Sequence, residues 1–231
     1  IFEEFKLSPD GHYLMAYEAG IERVQIFNAM TGDLLSEIDG MGDAGVSAIA
    51  IANGGRFIAV GFDNGDLKIG SMADGNFFWV EEAVSKLKSK INSLSFAAEN
   101  DSLFATLKNG TEGGLADSYA YVFHKQEGSQ NWNPIVVGYP QGQQQIVIGD
   151  LSPNGQRLVT GTRSGRIDLW NVESVKKTGL GQIDLSQVEQ RGLVELGRYS
   201  SEVRVLRFAV RPDDSETVDL LSADRGDFNE I

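Results

Sequence analysis

Few residues in this sequence have the types and spacing that enzymes use for nucleophilic, acid–base or metal chemistry. The 231 residues include two histidines, His12 and His124, and no cysteine. Neither histidine lies near a Gly-x-Ser-x-Gly turn, and the two do not have the spacing of a metal-ligand pair. The absence of cysteine excludes disulfides, thiolate metal sites and a cysteine nucleophile. We therefore predict no catalytic residue, no cofactor and no metal in this chain.

The glycine-rich stretch 108–118 is the main candidate for a binding loop. It holds three glycines, but no Lys-Ser/Thr pair follows them, so a phosphate-binding loop is not predicted. Such a loop can contact a partner, and it can equally be an insertion that the surface tolerates. Both interpretations stay open. The predicted partner-contact residues are Asn109, Thr111, Glu112, Gly113, Leu115 and Asp117.

Other segments also admit two interpretations. Within Glu81–Ile91, the helical spacing of Val84 and Leu87 predicts one or two helical turns. The lysines of this segment can face an acidic partner or form a solvated edge. These are Lys86, Lys88 and Lys90. The insertion 173–191 is either a second interaction site or an elaboration of the fold, and the acidic C-terminal end lacks a calcium-loop series.

The charge balance disfavours two classes of partner, nucleic acids and anionic lipid surfaces. With 20 Lys+Arg and 33 Asp+Glu, the formal net charge is −13. Such a chain has no general basic field for nucleic acid or anionic lipid. It also has no apolar run of about 18 residues, and its first residues lack the regions of a signal peptide. We expect no nucleic-acid partner, no membrane association and a cytoplasmic location.

The elements that position these candidates repeat along the chain. A turn between two apolar runs reads Leu-Ser-Pro-Asp-Gly over 7–11 and Leu-Ser-Pro-Asn-Gly over 151–155. The first two intervals between turns, 44 and 46 residues, match the roughly 40–45-residue period of a four-stranded propeller blade. The later intervals, 54 and 59 residues, predict insertions. The equivalent turn positions are Pro9, Asn53, Glu99, Pro153 and Pro212.

Each repeat predicts antiparallel strands. In Arg166–Trp170, for example, Ile167 and Leu169 share one face, as period-2 alternation requires. The intervals between turns are too short for crossover helices, which favours an all-β fold. We predict that the aromatic residues of the strands pack between sheets and do not form a ligand platform. They are Phe77, Phe78, Trp79, Tyr119, Tyr121 and Trp132.

Residues 158–172, from Leu-Val-Thr-Gly-Thr through Ile-Asp-Leu-Trp-Asn-Val, resemble a blade of the WD-repeat β-propellers. Asn171 stands where the family prefers Asp. The segments 24–28 and 57–69 are similar, although the second has Gly70 in the aromatic position. Many members tie each blade with a hydrogen-bonded set of His, Ser/Thr, Asp and Trp. Neither histidine lies in the loop where that set begins, so we expect the set to be absent and the blades to pack through apolar contacts.

The resemblance implies an all-β, β-propeller fold of four-stranded antiparallel blades, stacked radially and not as a two-layer sandwich. We expect about five blades, the last one truncated in its third strand, and a segment of a longer propeller. The predicted blades are 1–40, 44–82, 90–139, 144–199 and 201–231.

Such a domain implies a non-catalytic scaffold or docking module within a larger protein. Its expected partners are proteins or peptides and the remaining blades of the same chain. The alternative is a ligand-binding or sensory propeller attached to an enzyme, which fold alone does not exclude.

Overall fold

The computed structural model describes residues 2–18, 23–39, 44–73, 76–80, 85–87, 89–98, 102–107, 119–125, 131–138, 145–172, 194–211 and 214–224. Within these residues the secondary structure is nineteen strands and one 3-10 helix, Asn53–Gly55. The strands are β1 (Phe2–Leu7), β2 (Tyr13–Glu18), β3 (Arg23–Asn28), β4 (Leu34–Ile38), β5 (Val46–Ile51), β6 (Ile58–Phe62), β7 (Asp66–Ala73), β8 (Asn76–Trp79), β9 (Ser85–Lys86), β10 (Ile91–Phe96), β11 (Ser102–Leu107), β12 (Tyr119–Lys125), β13 (Trp132–Gly138), β14 (Ile146–Leu151), β15 (Arg157–Thr162), β16 (Arg166–Asn171), β17 (Val194–Arg198), β18 (Val203–Arg211) and β19 (Asp214–Asp224).

In the described part of the chain, these strands form five antiparallel sheets in chain order. Sheet I is β1–β4, sheet II is β5–β8 with β9 also paired to β7, sheet III is β10–β13, and sheet IV is β14–β17. Sheet V is the pair β18–β19. The prediction of four-stranded antiparallel sheets is confirmed in sheets I to IV. The third strand expected near residues 229–231 lies outside the described residues.

The repeated turn has the same hydrogen bonds in sheets I and IV. The Ser8 hydroxyl donates to the Asp10 carboxylate at 2.5 Å and accepts the Tyr13 N–H at 2.9 Å. In sheet IV, Ser152 donates to Asn154 Oδ1 at 2.8 Å. Short polar side chains hold such turns because they bond to atoms two to five residues further along the chain. The turn predicted from the repeat therefore begins the second strand of sheets I and IV at a fixed point.

Apolar side chains fill the space between successive sheets. In β11, Leu103 and Ala105 belong to the cluster between sheets II and III, whereas Phe104 belongs to the cluster between sheets III and IV. This is the alternation of a strand whose two faces are both covered. Similar clusters join sheets I and II, and sheets IV and V. The sheets therefore stack side by side in chain order, as the radial arrangement predicts, and do not form a two-layer sandwich.

Two equivalent glycines allow adjacent sheets to approach closely. A Cβ atom on Gly61 would lie 2.7 Å from Ile91 Cγ2 of sheet III, and a Cβ on Gly161 would lie 2.7 Å from Val203 Cβ of sheet V. Contacts this short are repulsive in a close-packed interior. Glycine at this strand position is thus a packing requirement in sheets II and IV, whereas sheets I and III carry Tyr17 and Thr106 there.

The expected absence of the blade-tying polar set is only partly correct. In sheet IV, Trp170 Nε1 donates to Thr160 Oγ1 at 2.8 Å, and both side chains are buried. Buried polar groups of this kind need a partner because an unpaired donor is costly away from water. The Thr–Trp part of the set is therefore present without a histidine.

Apolar clusters join successive sheets, as expected, but hydrogen bonds join them as well. At the first turns, the Asp10 carboxylate of sheet I accepts the Gly54 N–H of sheet II. Asn53 Nδ2 of sheet II in turn donates to the Ala98 carbonyl that follows sheet III's β10, at 2.5 Å. These bonds were missed because they depend on how neighbouring turns face each other.

Sheet II replaces the missing aromatic residue at Gly70 with one from its next strand. A Cβ on Gly70 would lie 2.3 Å from the ring of Phe77, which occupies the space above the glycine. Phe77 also packs edge-on against Trp79, with ring centroids 4.7 Å apart. The prediction that aromatic residues pack in the strands is confirmed in β8 for Phe77 and Trp79. It is wrong for Phe78, which is 48% exposed.

The helical turns predicted in Glu81–Ile91 are wrong where this segment is described. Ser85 and Lys86 form β9 and pair with β7, and Ile91 begins β10. The backbone N–H of Leu87 donates to the Gly65 carbonyl at 2.8 Å, and the Leu87 side chain is buried in the core between sheets II and III. The apolar spacing reflects a strand joined to an inter-sheet connection, not a helix face.

Candidate functional site

The five innermost strands converge on the centre of the molecule, where each contributes residues to one cavity of about 400 Å³. We call it the turn cavity, because it lies where these strands end at the turns between the first and second strands of the sheets. One apolar side chain comes from each of β1, β5, β10, β14 and β18. These are Leu7, Ile51, Phe96, Leu151 and Phe208. The residue before each of them also lines the cavity, and four of these five are polar or charged. They are Lys6, Ala50, Ser95, Asp150 and Arg207.

Asp150 joins three sheets at this cavity. Its carboxylate accepts the Ser95 hydroxyl of sheet III and the Phe208 backbone N–H of sheet V, the latter at 2.9 Å. The side chain is 7% exposed. Burial raises the pKa of Asp150 above its ordinary value, and the hydrogen bonds from Ser95 and Phe208 oppose that rise. The carboxyl group is thus a structural junction between sheets.

A second cavity of about 490 Å³ lies towards the beginning of four of these strands, β1, β10, β14 and β18. We call it the basic cavity, because cations outnumber carboxylates among its charged lining residues. These are Glu4, Lys6, Arg163, Glu202, Arg204 and Arg207. Two ion pairs lie in this wall: Lys6 Nζ is 2.9 Å from Glu4 Oε1, and Arg204 Nε is 3.3 Å from Glu202 Oε1.

Arg163 reaches the basic cavity from the β15–β16 turn. Its backbone N–H donates to the Gln145 carbonyl at 2.9 Å, and its Nη1 is 3.5 Å from Gln145 Oε1. The turn is formed by Thr162, Ser164 and Gly165, with the Thr162 hydroxyl 3.0 Å from that of Ser164. A tight hydrogen-bonded turn fixes the point from which this exposed arginine extends.

The predicted partner-contact loop lies outside the described residues, as do all six residues assigned to it. Leu107, the residue directly before that stretch, ends β11 and lines the basic cavity. The insertion 173–191 also lies outside the described residues.

The two histidines do not meet. His12 Nδ1 lies 3.6 Å from Asp10 at an exposed turn, whereas His124 of β12 is within 2.5 Å of the Ser102 hydroxyl. In the part of the chain that the structure describes, no three His, Cys, Asp or Glu side chains come together in a way that could hold a metal ion. Nor does any helix among those residues have the length and hydropathy needed to cross a bilayer.

The sequence reasoning missed the residues that line the two cavities. Asp150 stands in an otherwise apolar run, Ile146–Leu151, and that interruption was the available signal. Lys6 and Arg207 likewise lie inside predicted strands. The signal was not used because a charge in a strand normally faces solvent, whereas in this fold the innermost strands face a central cavity.

The radially stacked four-stranded sheets, with their innermost strands around central cavities, define a β-propeller fold. No protein-family model matches the sequence. Among solved structures, the chain is similar to the β-propeller domain of Cps50 (Swd1) from Myceliophteria thermophila, with a TM-score of 0.65 and 12% identity. The match covers 96% of this chain and 62% of that domain, so the chain spans less than two thirds of the length of the structure it resembles. At this identity the likeness concerns the fold.

Proposed function

We propose that this chain is a non-catalytic interaction scaffold that binds a protein or peptide partner on the face around the basic cavity. The observation that carries the proposal is the composition of this face. Rigid strand ends, the exposed Arg163 and the last residue before the glycine-rich stretch, Leu107, all border one opening. Binding residues commonly lie on loops held by a rigid scaffold. The six residues assigned to the 108–118 stretch remain the proposed contacts.

The runner-up function is a propeller that binds a small ligand for an enzyme domain elsewhere in the protein. The turn cavity favours it, because its volume of about 400 Å³ falls within the range of small-molecule sites, roughly 300–1,000 Å³. It also combines an apolar ring with a few convergent polar groups. We rank it second because its most buried polar group, Asp150, already has protein partners.

A displayed peptide library tests the scaffold proposal. The library is first selected for peptides that the folded chain retains and the chain unfolded in urea does not. The affinity of these peptides is then measured for the unaltered chain and for a variant carrying Gly113→Ser, Leu115→Ser and Asp117→Asn. We expect that variant to bind at least several-fold more weakly without a change in its unfolding midpoint. The matched control is Met30→Ser, in an exposed turn of sheet I, which should leave binding unchanged.

Two results would contradict the proposal at different levels. If the folded chain retains no peptide beyond the unfolded chain, the scaffold function is wrong. If peptides bind the loop variant as tightly as the unaltered chain, the scaffold remains but the 108–118 stretch is not its contact. A thermal shift produced by a small metabolite, and reduced by substitution of Ser95, would favour the runner-up.

A further inference from the structure

The basic cavity differs in charge from the rest of the protein. Four cationic side chains and two carboxylates line it, whereas the whole chain has a formal net charge of −13. At physiological ionic strength the screening length is about 8 Å, so a group inside the cavity responds mainly to the charges of its wall. The cavity is therefore a local positive site on an acidic protein.

The internal ion pairs of the cavity leave two arginines without a carboxylate from its wall. Glu4 and Glu202 lie against Lys6 and Arg204, respectively. Within the described residues, Arg163 has the neutral Gln145 amide as its side-chain partner, and Arg207 Nη1 donates to the Leu206 carbonyl at 3.2 Å. Asp150 interacts with Arg207 electrostatically from the turn cavity, where its carboxylate has its own two hydrogen-bond donors.

Two side-chain amides also belong to the polar lining. Gln145 and Asn92 face the cavity, and Asn92 Nδ2 donates to the Val147 carbonyl at 3.0 Å, which fixes its position. Guanidinium groups beside amides are suited to an oxyanion, because arginine presents several N–H donors in a planar fork. The volume of about 490 Å³ accommodates an acidic side chain and its neighbouring backbone.

We propose that the basic cavity binds an oxyanion, a carboxylate or a phosphate, carried by the peptide segment of a protein partner, with Arg163 and Arg207 as its charged contacts. This proposal rests on the proposed scaffold function and specifies the chemistry of the partner. The acidic group enters the cavity and brings to Arg163 and Arg207 the carboxylate or phosphate that the cavity wall does not offer them. The flanking peptide lies on the face around the opening.

Isothermal titration of the purified chain tests this assignment with defined probes. The probes are a glycine-flanked peptide with two aspartates, the same peptide with asparagines, a phosphoserine version, and inorganic phosphate. We expect the aspartate peptide to bind at least ten-fold more tightly than the asparagine peptide, because hydrogen bonds to a charged group are stronger than those to a neutral one. We also expect its affinity to fall as NaCl rises from 0.05 to 0.5 M, because salt screens the attraction between the charges. Binding of phosphate alone, in competition with the peptides, would identify the oxyanion and not the peptide as the main determinant.

Arginine variants locate the site. Arg163→Gln and Arg207→Gln should each weaken the acidic peptide roughly ten-fold, the effect of removing one charge-assisted hydrogen bond. The matched control is Arg157→Gln, at the exposed start of β15, the strand that ends directly before Arg163, and it should have no effect. Because Arg163 is exposed, its variant tests the site even if Arg207→Gln does not fold.

Three results would overturn the assignment. The first is equal affinity for the aspartate and asparagine peptides. The second is the same loss of affinity in Arg157→Gln as in Arg163→Gln. The third is a library-selected partner that binds the folded chain and is unaffected by both cavity variants; that result leaves the scaffold function intact and refutes only its anionic chemistry.

Discussion

The Asp150 junction yields a prediction in which two substitutions at one position have opposite consequences. Asp150→Ala removes the acceptor of the Ser95 hydroxyl and the Phe208 N–H. Each orphaned donor costs about 1–3 kcal/mol when buried. Since both donors border the turn cavity, water can replace part of the loss, and we expect about 2 kcal/mol in total. With a urea dependence of about 2 kcal/mol per molar, the unfolding midpoint should fall by about 1 M.

Asp150→Asn should behave differently, because the amide can serve both partners. Its oxygen can accept the Phe208 N–H, and its NH2 group can donate to the Ser95 hydroxyl, whose oxygen is also an acceptor. The substitution also removes the cost of a buried negative charge. We therefore expect the free energy of unfolding of Asp150→Asn at neutral pH to equal or exceed that of the unaltered chain.

The pH dependence follows from the direction of the pKa shift. Burial raises the pKa of Asp150, so the folded state holds this proton more tightly than the unfolded state. The stabilisation from that proton is complete below the ordinary pKa of Asp and is lost as pH rises through the raised value. The unfolding free energy of Asp150→Asn minus that of the unaltered chain should therefore increase over this interval.

Urea unfolding of both variants and the unaltered chain, followed by tryptophan fluorescence from pH 4 to pH 7, measures these differences. If Asp150→Asn loses as much stability as Asp150→Ala, the ionised carboxylate contributes favourably through Arg207, and the reasoning from burial is wrong. A flat difference between Asp150→Asn and the unaltered chain would refute the raised pKa.

Three further predictions concern packing and the exposed end of the fold. Gly161→Ala should lower the free energy of unfolding in urea by about 1–3 kcal/mol, because the new Cβ overpacks the contact with sheet V. The control Gly197→Ala, which has open space around the new Cβ, should not lower it. Equal effects of the two substitutions would argue against the close approach of the sheets as the cause. Thr160→Val should lower the free energy of unfolding by about 1–3 kcal/mol, because it leaves the buried indole N–H of Trp170 without an acceptor. Thr160→Ser keeps the hydroxyl and should retain most of the stability. If Thr160→Val is as stable as the unaltered chain, this hydrogen bond contributes nothing. Phe5 and Leu7 of sheet I are 55% and 59% exposed, so the isolated chain should aggregate or melt at low temperature. Lysine at both positions should reduce light scattering without lowering the unfolding midpoint. Unchanged scattering would exclude this surface as the cause of aggregation.

Much of the strand order could be predicted because it depends on local signals. The Ser-Pro-Asp-Gly turn specifies where a hairpin reverses, since Ser8 and Asp10 bond to the turn that they belong to. Alternation in β16 likewise predicted that Ile167 and Leu169 share a face, and both belong to the core between sheets IV and V. Such signals act over fewer than ten residues, and a single sequence displays them directly.

The cavities could not be predicted because they depend on contacts between distant repeats. The bond between Asp150 and the Phe208 N–H joins residues of sheets IV and V, 58 positions apart. Nothing near Asp150 in the sequence indicates that its side chain faces another innermost strand. The Thr160–Trp170 bond was not predicted because histidine was taken as the marker of the polar set, whereas sheet IV keeps the Thr–Trp bond without a histidine.

Lys6 and Arg207 line both the turn cavity and the basic cavity. The two openings therefore draw on one shared pair of positive charges, although they lie at opposite ends of the innermost strands. A negative group held at either end would reduce the electrostatic attraction for a second negative group at the other end, without any movement of the sheets.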